Sequence, residues 1–139
     1  MASQLEAIFS RVGADDLSVS PIVAFSEYTA DPHATPSQRF LKENDTVIID
    51  MGCKKDGYCS DMTRTFLVGD SPMKKIYDVV LEANLAAIQA VKPGVPFKSI
   101  DQAARDVITK AGYGNYFIHR TGHGIGQEVH EPYDVSSVN

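Results

Sequence analysis

Residues 46–68 constrain the fold more than any other part of the sequence, and they read TVIIDMGCKKDGYCSDMTRTFLV. The stretch begins with a short apolar, β-branched run that is typical of a buried strand, and it ends with a second segment rich in β-forming residues. Between the two segments lies Asp56-Gly57, a dipeptide that favours a tight turn. The stretch therefore predicts an antiparallel β-hairpin with strands over Thr46–Met51 and Tyr58–Val68.

Each arm of this predicted hairpin carries an aspartate. If the turn is centred on Lys55-Asp56, Asp50 lies directly opposite Asp61 and both side chains share one face. Directly opposed Cβ atoms are about 4.5–5.5 Å apart, so two carboxylates there repel each other unless a cation compensates. A three-residue loop with a bulge at Gly57 would instead place Asp50 opposite Met62, and the sequence leaves both connections open.

An alternative interpretation needs no cation. Both aspartates could be solvated residues at strand ends, or one could pair with Arg64. The apolar run TVIID weighs against this alternative, because it leads Asp50 out of a buried strand, where an unpaired carboxylate is costly.

Helical and extended patterns alternate before the hairpin. The first dozen residues predict a helix that ends at Gly13. Ser18–Phe25 predicts a strand in which Pro21 requires an edge position or a bulge. Residues 26–45 contain two prolines and many turn formers, so they predict a loop.

Two amphipathic helices are predicted after the hairpin. The first begins near Pro72 and ends near Pro93-Gly94. The second begins with a capping box formed by Ser99 and Gln102 and ends at Gly112. Beyond this glycine the pattern returns to strand or loop. Strands and helices in this order predict an α+β fold.

Composition narrows the class of protein. A chain of 139 residues with 43% hydrophobic and 22% charged residues is large enough for one buried core, so a single domain is expected. The net charge of −5 argues against nucleic acid as a partner. No apolar stretch has the length of a membrane span, which predicts a cytoplasmic protein without a membrane partner. Cys53 and Cys59 are predicted to be free thiols.

Three of the four histidines lie in distinctive settings: His33 in ADPHATP, His123 in TGHGIG and His130 in EVHE. His119, in YFIHR, is interpreted as a surface or core residue, with a supporting role left open. His123 differs because the glycines on both sides allow the backbone to approach an ion and aim the ring. One imidazole with two carboxylates and no thiolate suits a divalent ion such as manganese, cobalt or zinc.

Three strings, PHATPS, DMGCKKDGYCSDMTRTFLVG and HRTGHGIGQEVHEP, together resemble the pita-bread (M24) metallopeptidases, in the branch of Xaa-Pro dipeptidase (prolidase) and aminopeptidase P. The resemblance extends almost from end to end, and the two aspartates, eleven residues apart, make it specific. It implies part of a pita-bread domain, with a curved antiparallel sheet and two amphipathic helices on one face. It also implies hydrolysis of short peptides with proline in the second position, through a dinuclear metal site and a bridging hydroxide.

The resemblance implies a metal-binding role for three residues. Asp50 would chelate one ion, Asp61 would bridge both ions and His123 would bind the other. Two divalent ions would be required in the complete enzyme, with manganese favoured over cobalt or zinc.

Three further residues acquire supporting or catalytic roles from the resemblance. His33 and His130 would be catalytic residues that position the substrate and assist proton transfer. Arg64, within TRT, would orient the site carboxylates through charge-assisted hydrogen bonds.

The sequence also departs from the family pattern. Members complete the site with two glutamates, one in a TIEPG-like strand and one in a last strand, and Glu128 and Glu131 do not lie in such motifs. Residues 1–139 are therefore expected to be a single partial catalytic domain, without the amino-terminal lid domain and the carboxyl-terminal strands that hold both glutamates. Residues 26–28 also lack the G-x-N pattern that relatives often show.

Three alternatives to a peptidase follow from these departures: a truncated, catalytically inactive fragment, a non-catalytic pita-bread binding module, and a metal-free amidinohydrolase resembling creatinase. The filled ligand positions argue against the binding module, and Asp50 with Asp61 argues against the amidinohydrolase. A partial domain would leave sheet edges and an apolar face uncovered, which favours homo-oligomers or self-association.

Overall fold

The computed structural model of the chain describes residues 2–35 and 37–138. Met1 in the predicted amino-terminal helix, Pro36 in the predicted loop, and Asn139 lie outside the described residues. The elements in chain order are α1 (Ala2–Arg11), β1 (Asp16–Phe25), a 3-10 helix (Ser26–Ala30), β2 (Thr46–Lys55), β3 (Tyr58–Cys59), β4 (Met62–Leu67), α2 (Lys74–Ala90), α3 (Phe97–Lys110), a second 3-10 helix (Gly114–Tyr116), β5 (Gly122–Gly124) and β6 (Glu131–Val135).

These elements form two compact units. The first comprises Met1–Met73 with Ile125–Val129, and the second comprises Lys74–Gly124 with His130–Asn139. The first unit contains a four-stranded antiparallel sheet in which β2 pairs with β1, β3 and β4. The second unit contains α2, α3 and an antiparallel pair formed by β5 and β6. Helices together with antiparallel sheets confirm the predicted α+β class.

The predicted hairpin is confirmed, but its register differs from the expected one. Lys55 pairs with Tyr58, so the connection consists of Asp56 and Gly57, whose φ angles are 49° and 82°. Positive φ at both positions defines the mirror-image turn that matches the twist of antiparallel strands. The turn lies one residue later than a turn about Lys55-Asp56.

The cross-strand partner of Asp50 changes accordingly. Asp50 pairs with Thr63 on β4, and Met51 pairs with Met62. The prediction that Asp50 lies directly opposite Asp61 is therefore wrong, because moving a hairpin turn by one residue moves every cross-strand partner by two. A shift of two preserves the alternation of faces along the strand.

Pro21 lies in an irregular part of β1. The register between β1 and β2 shifts between Val19 and Ile22, on either side of the proline. Among the described strands, β1 pairs with β2 alone. Pro21 therefore occupies both a bulge and an edge strand, as its missing amide hydrogen predicts.

The core of the second unit lies between α2 and α3, which confirms both predicted amphipathic helices. Its buried residues are Ala83, Ala87, Ile100, Ala104 and Ile108. The small alanine side chains on both helices favour close packing of their backbones.

The start of α3 differs from the predicted one. The helix begins at Phe97 after Pro96, and the amide of Ser99 donates to the carbonyl oxygen of Pro96 over 2.9 Å. Ser99 therefore lies within the first turn, and the predicted capping box with Gln102 is wrong. Pro96 precedes the helix in an extended conformation, so the helix begins earlier than the Ser99 pattern indicates.

Among residues 2–35 and 37–138, no helix has the combination of length and apolar character that crossing a membrane requires.

Candidate metal and catalytic residues

Asp50 lies half-buried on the central strand β2. Its cross-strand partner Thr63 donates a hydrogen bond of 2.6 Å from Oγ1 to Oδ1 of Asp50. Because the hydroxyl and the carboxylate share one face of the ladder, the bond restricts the orientation of the carboxylate. The orientation of the Asp50 carboxylate thus depends on Thr63, a residue that the sequence patterns did not single out.

Close packing around position 52 explains why the Asp50-Met51-Gly52 string ends in a glycine. A Cβ atom at this position would lie 2.2 Å from Oγ of Ser18 and 2.2 Å from the carbonyl oxygen of Ser60. Oγ of Ser18 donates to this carbonyl oxygen over 2.6 Å. The hydrogen bond between Ser18 and Ser60 lies close to the backbone of β2 at position 52, so this position requires a residue without a side chain.

Asp61 lies in the break between β3 and β4 and is exposed. The preceding Ser60 keeps contact with Cys53: its amide donates to the Cys53 carbonyl over 2.8 Å, and its Oγ accepts from the Cys53 amide over 3.0 Å. The Ser60 carbonyl bonds to Ser18 instead of continuing the ladder. The carbonyl group of Ser60, which points to Ser18, directly precedes Asp61 and therefore determines the position of the Asp61 backbone.

Arg64 pairs with Ile49, so alternation along β4 directs it to the face opposite that of Thr63 and Asp50. Nη1 of Arg64 donates to the carbonyl oxygen of Thr63 over 2.9 Å. Arg64 would therefore influence the orientation of the Asp50 carboxylate only indirectly, through its hydrogen bond to Thr63. The supporting role of Arg64 stays a prediction.

His33 lies exposed in the loop between β1 and β2, where its amide donates to Oδ1 of Asp31 over 2.8 Å. The base of this loop is held by Arg39, which donates to both carboxylate oxygens of Asp45 over 2.7 and 2.8 Å. The Arg39 guanidinium lowers the pKa of Asp45 to about 2, and the Lys42 amide contributes to the shift. The loop that carries His33 is therefore anchored by a charge-assisted, bidentate pair.

The segment Ile125–Val129 packs within the first unit. The Cys59 amide donates to the carbonyl oxygen of Gly126 over 2.7 Å, and Sγ of Cys59 contacts the carbonyl oxygen of Gln127 at 3.3 Å. Cys53 and Cys59 are free thiols, as predicted.

His123 is the central residue of β5 and is half-buried. Its Nδ1 lies 2.9 Å from the carbonyl oxygen of Gly124. A carbonyl oxygen can only accept, so the tautomer of His123 that makes this hydrogen bond is the one with its proton on Nδ1, and that tautomer leaves Nε2 as the nitrogen for metal coordination.

Close packing against β6 explains the glycine at position 124. A Cβ atom there would lie 2.7 Å from the carbonyl oxygen of Glu131 and 2.6 Å from that of Pro132, both on β6. The glycine therefore permits close contact between β5 and β6, a reason different from the predicted approach to an ion. His130 immediately precedes β6 and is exposed, and its ring lies 4.4 Å from that of His123 between centroids, tilted by 55°.

The sequence analysis missed a buried polar group on α3. Asp101 is 0% exposed, pairs with Arg105 and accepts a hydrogen bond from Thr121. Burial opposes ionisation of Asp101, but the bonds from Arg105 and Thr121 outweigh it, so the pKa of Asp101 is lowered. A charged pair four residues apart on the otherwise apolar face of a helix was the signal that could have identified this group.

The proposed ligands fall in both units, with Asp50 and Asp61 in the first and His123 in the second. Within residues 2–35 and 37–138, no three side chains of histidine, cysteine, aspartate or glutamate form a group that could hold a metal ion. Two carboxylates and an imidazole are nevertheless the donor types that suit manganese, cobalt or zinc.

Comparison with known proteins identifies the family. Residues 1–139 match the model of metallopeptidase family M24. The chain belongs to metallopeptidase family M24.

Several relatives are similar over the whole of this chain. An uncharacterized peptidase of Staphylococcus aureus (strain USA300) is 45% identical over 141 residues, which cover 100% of this chain and 40% of that protein. The crystal structure of a prolidase from Thermococcus sibiricus has 48% identity and a TM-score of 0.93, covering 98% of this chain and 38% of that one. Xaa-Pro dipeptidase from Bacillus anthracis has 40% identity and a TM-score of 0.93, covering 98% and 39%. The sequence thus spans about two fifths of the length of these relatives.

Proposed function

We propose that this chain is part of the catalytic domain of a metal-dependent peptidase that hydrolyses short peptides with proline in the second position. In the complete protein, Asp50, Asp61 and His123 serve as ligands of two divalent ions, with manganese favoured. Membership of family M24 and the similarity to a prolidase and an Xaa-Pro dipeptidase support this reaction. The cytoplasmic location and the self-association stay predictions.

The orientation of His123 is the observation that carries this proposal. Its Nδ1 lies 2.9 Å from the carbonyl oxygen of Gly124, a contact that fits the tautomer in which Nε2 coordinates a metal ion. A metal-binding histidine characteristically donates its second ring nitrogen to a carbonyl or carboxylate, because this bond sets the tautomer and the direction of the ring.

The individual side chains have separate roles in the proposed reaction. When bound, two divalent ions supply a nucleophile derived from water and a Lewis acid for the peptide carbonyl. Asp50, oriented by Thr63, offers a carboxylate of restricted rotation. His130, whose ring lies against His123, positions the substrate and assists proton transfer. His33 contributes a substrate contact from the loop anchored by Arg39.

Replacement of Asp61 tests this proposal. In the complete protein that contains this chain, Asp61→Asn is expected to abolish manganese-dependent cleavage of Xaa-Pro dipeptides, because a neutral amide is a weaker ligand for divalent cations than a carboxylate. Asp56→Asn is the matched control, since Asp56 lies in the turn at φ 49°, a conformation that asparagine tolerates. Equal activity and equal manganese affinity in both variants would exclude Asp61 as a ligand. Absence of metal binding in the unchanged protein would favour a non-catalytic binding module.

A further inference from the structure

The ion pair on α3 holds the segment that leads to His123, in addition to stabilising its own helix. Nε of Arg105 donates to Oδ2 of Asp101 over 2.6 Å. Removing the Asp101 carboxylate from water costs free energy that an apolar residue at this position would not cost. The other hydrogen bonds of Asp101 and Arg105 show how the pair contributes to the structure.

Arg105 uses its other two nitrogens on the chain after α3. Nη1 donates to the carbonyl oxygen of Phe117 over 2.8 Å, and Nη2 donates to the carbonyl oxygen of His119 over 2.7 Å. The guanidinium carbon also lies 4.5 Å from the centre of the Phe117 ring. One rigid, planar group therefore fixes two carbonyl groups of a segment without regular secondary structure.

Asp101 fixes the end of the same segment. Its Oδ1 accepts a hydrogen bond of 2.7 Å from Oγ1 of Thr121, the residue directly before β5. The Thr121 amide in turn donates to the carbonyl oxygen of Val135 on β6 over 3.0 Å. Thr121 is thus attached both to the helix and to the neighbouring strand, two residues before His123.

From these contacts we infer that Asp101 and Arg105 are positioning residues for His123. They attach Phe117, His119 and Thr121 to the rigid α3 helix, and this attachment sets the course of β5 and the direction of the His123 ring. The inference rests on the proposed role of His123 as a metal ligand. Nuclear magnetic resonance of the histidine side chains tests it without metal, because the ring nitrogens report which tautomer is present.

Arg105→Lys is the informative variant, since lysine keeps the charge opposite Asp101 but cannot reach two carbonyl groups at once. In the metal-free protein, His123 is expected to carry its proton on Nδ1, and Arg105→Lys is expected to convert it into a mixture of tautomers. The Kd for manganese, followed by calorimetry, is expected to rise about tenfold in the variant. Asp106→Asn, an exposed carboxylate on the same helix, is the matched control for which no change is expected.

A purely structural role would give a different result. If Arg105→Lys lowers the urea midpoint of unfolding but leaves the His123 tautomer and the manganese Kd unchanged, the inference is wrong. Thr121→Val removes a single hydroxyl group and replaces Arg105→Lys if the latter does not fold, with the same expected change in tautomer. Failure of manganese to broaden the His123 resonances of the unchanged protein would contradict the proposed function, whereas the tautomer comparison would still decide the positioning role.

Discussion

Thr63 lies directly opposite Asp50 across the ladder of β2 and β4, and its hydroxyl group donates a 2.6 Å hydrogen bond to the Asp50 carboxylate. The bond joins a proposed metal ligand to a neighbour that has no ligand role of its own. Hydrogen bonds of this kind orient ligands, and their loss lowers metal affinity more than stability.

Thr63→Val is therefore expected to lower manganese affinity about tenfold. Stability should change by about 1 kcal/mol or less, because a neutral hydrogen bond contributes little net free energy and valine favours strands. Calorimetric titration and urea unfolding measure the two effects. Thr65→Val is the matched control, since Thr65 lies two residues further along the same face, opposite Ile48. Unchanged manganese affinity in Thr63→Val would show that the bond does not orient a ligand.

Gly52→Ala and Gly57→Ala are expected to differ in cost and in consequence. At Gly57 a Cβ atom meets nothing within 4 Å, so only the φ of 82° resists substitution, at about 1 kcal/mol. At Gly52 the Cβ atom would meet the Ser60 carbonyl oxygen at 2.2 Å, so overpacking should cost about 3 kcal/mol. Because Ser60 precedes Asp61, only Gly52→Ala should also weaken manganese binding.

Urea unfolding of both glycine variants, together with metal titration, checks this comparison. Equal destabilisation by the two substitutions would mean that Ser18 and Ser60 move easily to make room for a side chain at position 52.

Asp45→Asn is expected to make stability less sensitive to acid. Arg39 holds the pKa of Asp45 at about 2, below the ordinary value of 3.8. A carboxyl group whose pKa is lower in the folded state stabilises the fold above its unfolded pKa, and this contribution disappears as the pH falls towards the folded pKa. The window for Asp45 is thus about pH 4 down to about pH 2.

Urea midpoints measured across the acid range test this window. The unchanged protein should lose stability more steeply than Asp45→Asn between about pH 4 and about pH 2, and the two curves should run parallel at higher pH. Parallel curves throughout the acid range would contradict the assignment of the lowered pKa to Asp45.

A polypeptide of residues 1–139 alone is expected to bind divalent metal weakly and to hydrolyse Xaa-Pro dipeptides little or not at all. Two carboxylates and one imidazole supply too few donors and too little negative charge for two adjacent cations. Titration with manganese, cobalt and zinc, followed by an assay beside Xaa-Pro dipeptidase from Bacillus anthracis, measures both properties. Binding of two ions per chain with comparable turnover would show that other residues complete the site.

Most of the secondary structure was predictable from the sequence. The hairpin, the bulge at Pro21 and both amphipathic helices follow from local rules of turn formation and periodicity, and these rules act over only a few residues. The metal-binding roles of Asp50, Asp61 and His123 came instead from the family resemblance of the surrounding strings, and they stay a prediction. The predicted helix start at Ser99 was wrong because Pro96 precedes an earlier start.

How these elements meet depends on contacts between residues that are far apart in the chain. The turn at Asp56-Gly57 gave Asp50 the partner Thr63 in place of Asp61. The bond from Ser18 to Ser60 spans 42 positions of the chain, and the bond from Thr121 to Asp101 spans 20. Such contacts leave no local pattern in the sequence, because the partners become neighbours only after strands and helices have packed.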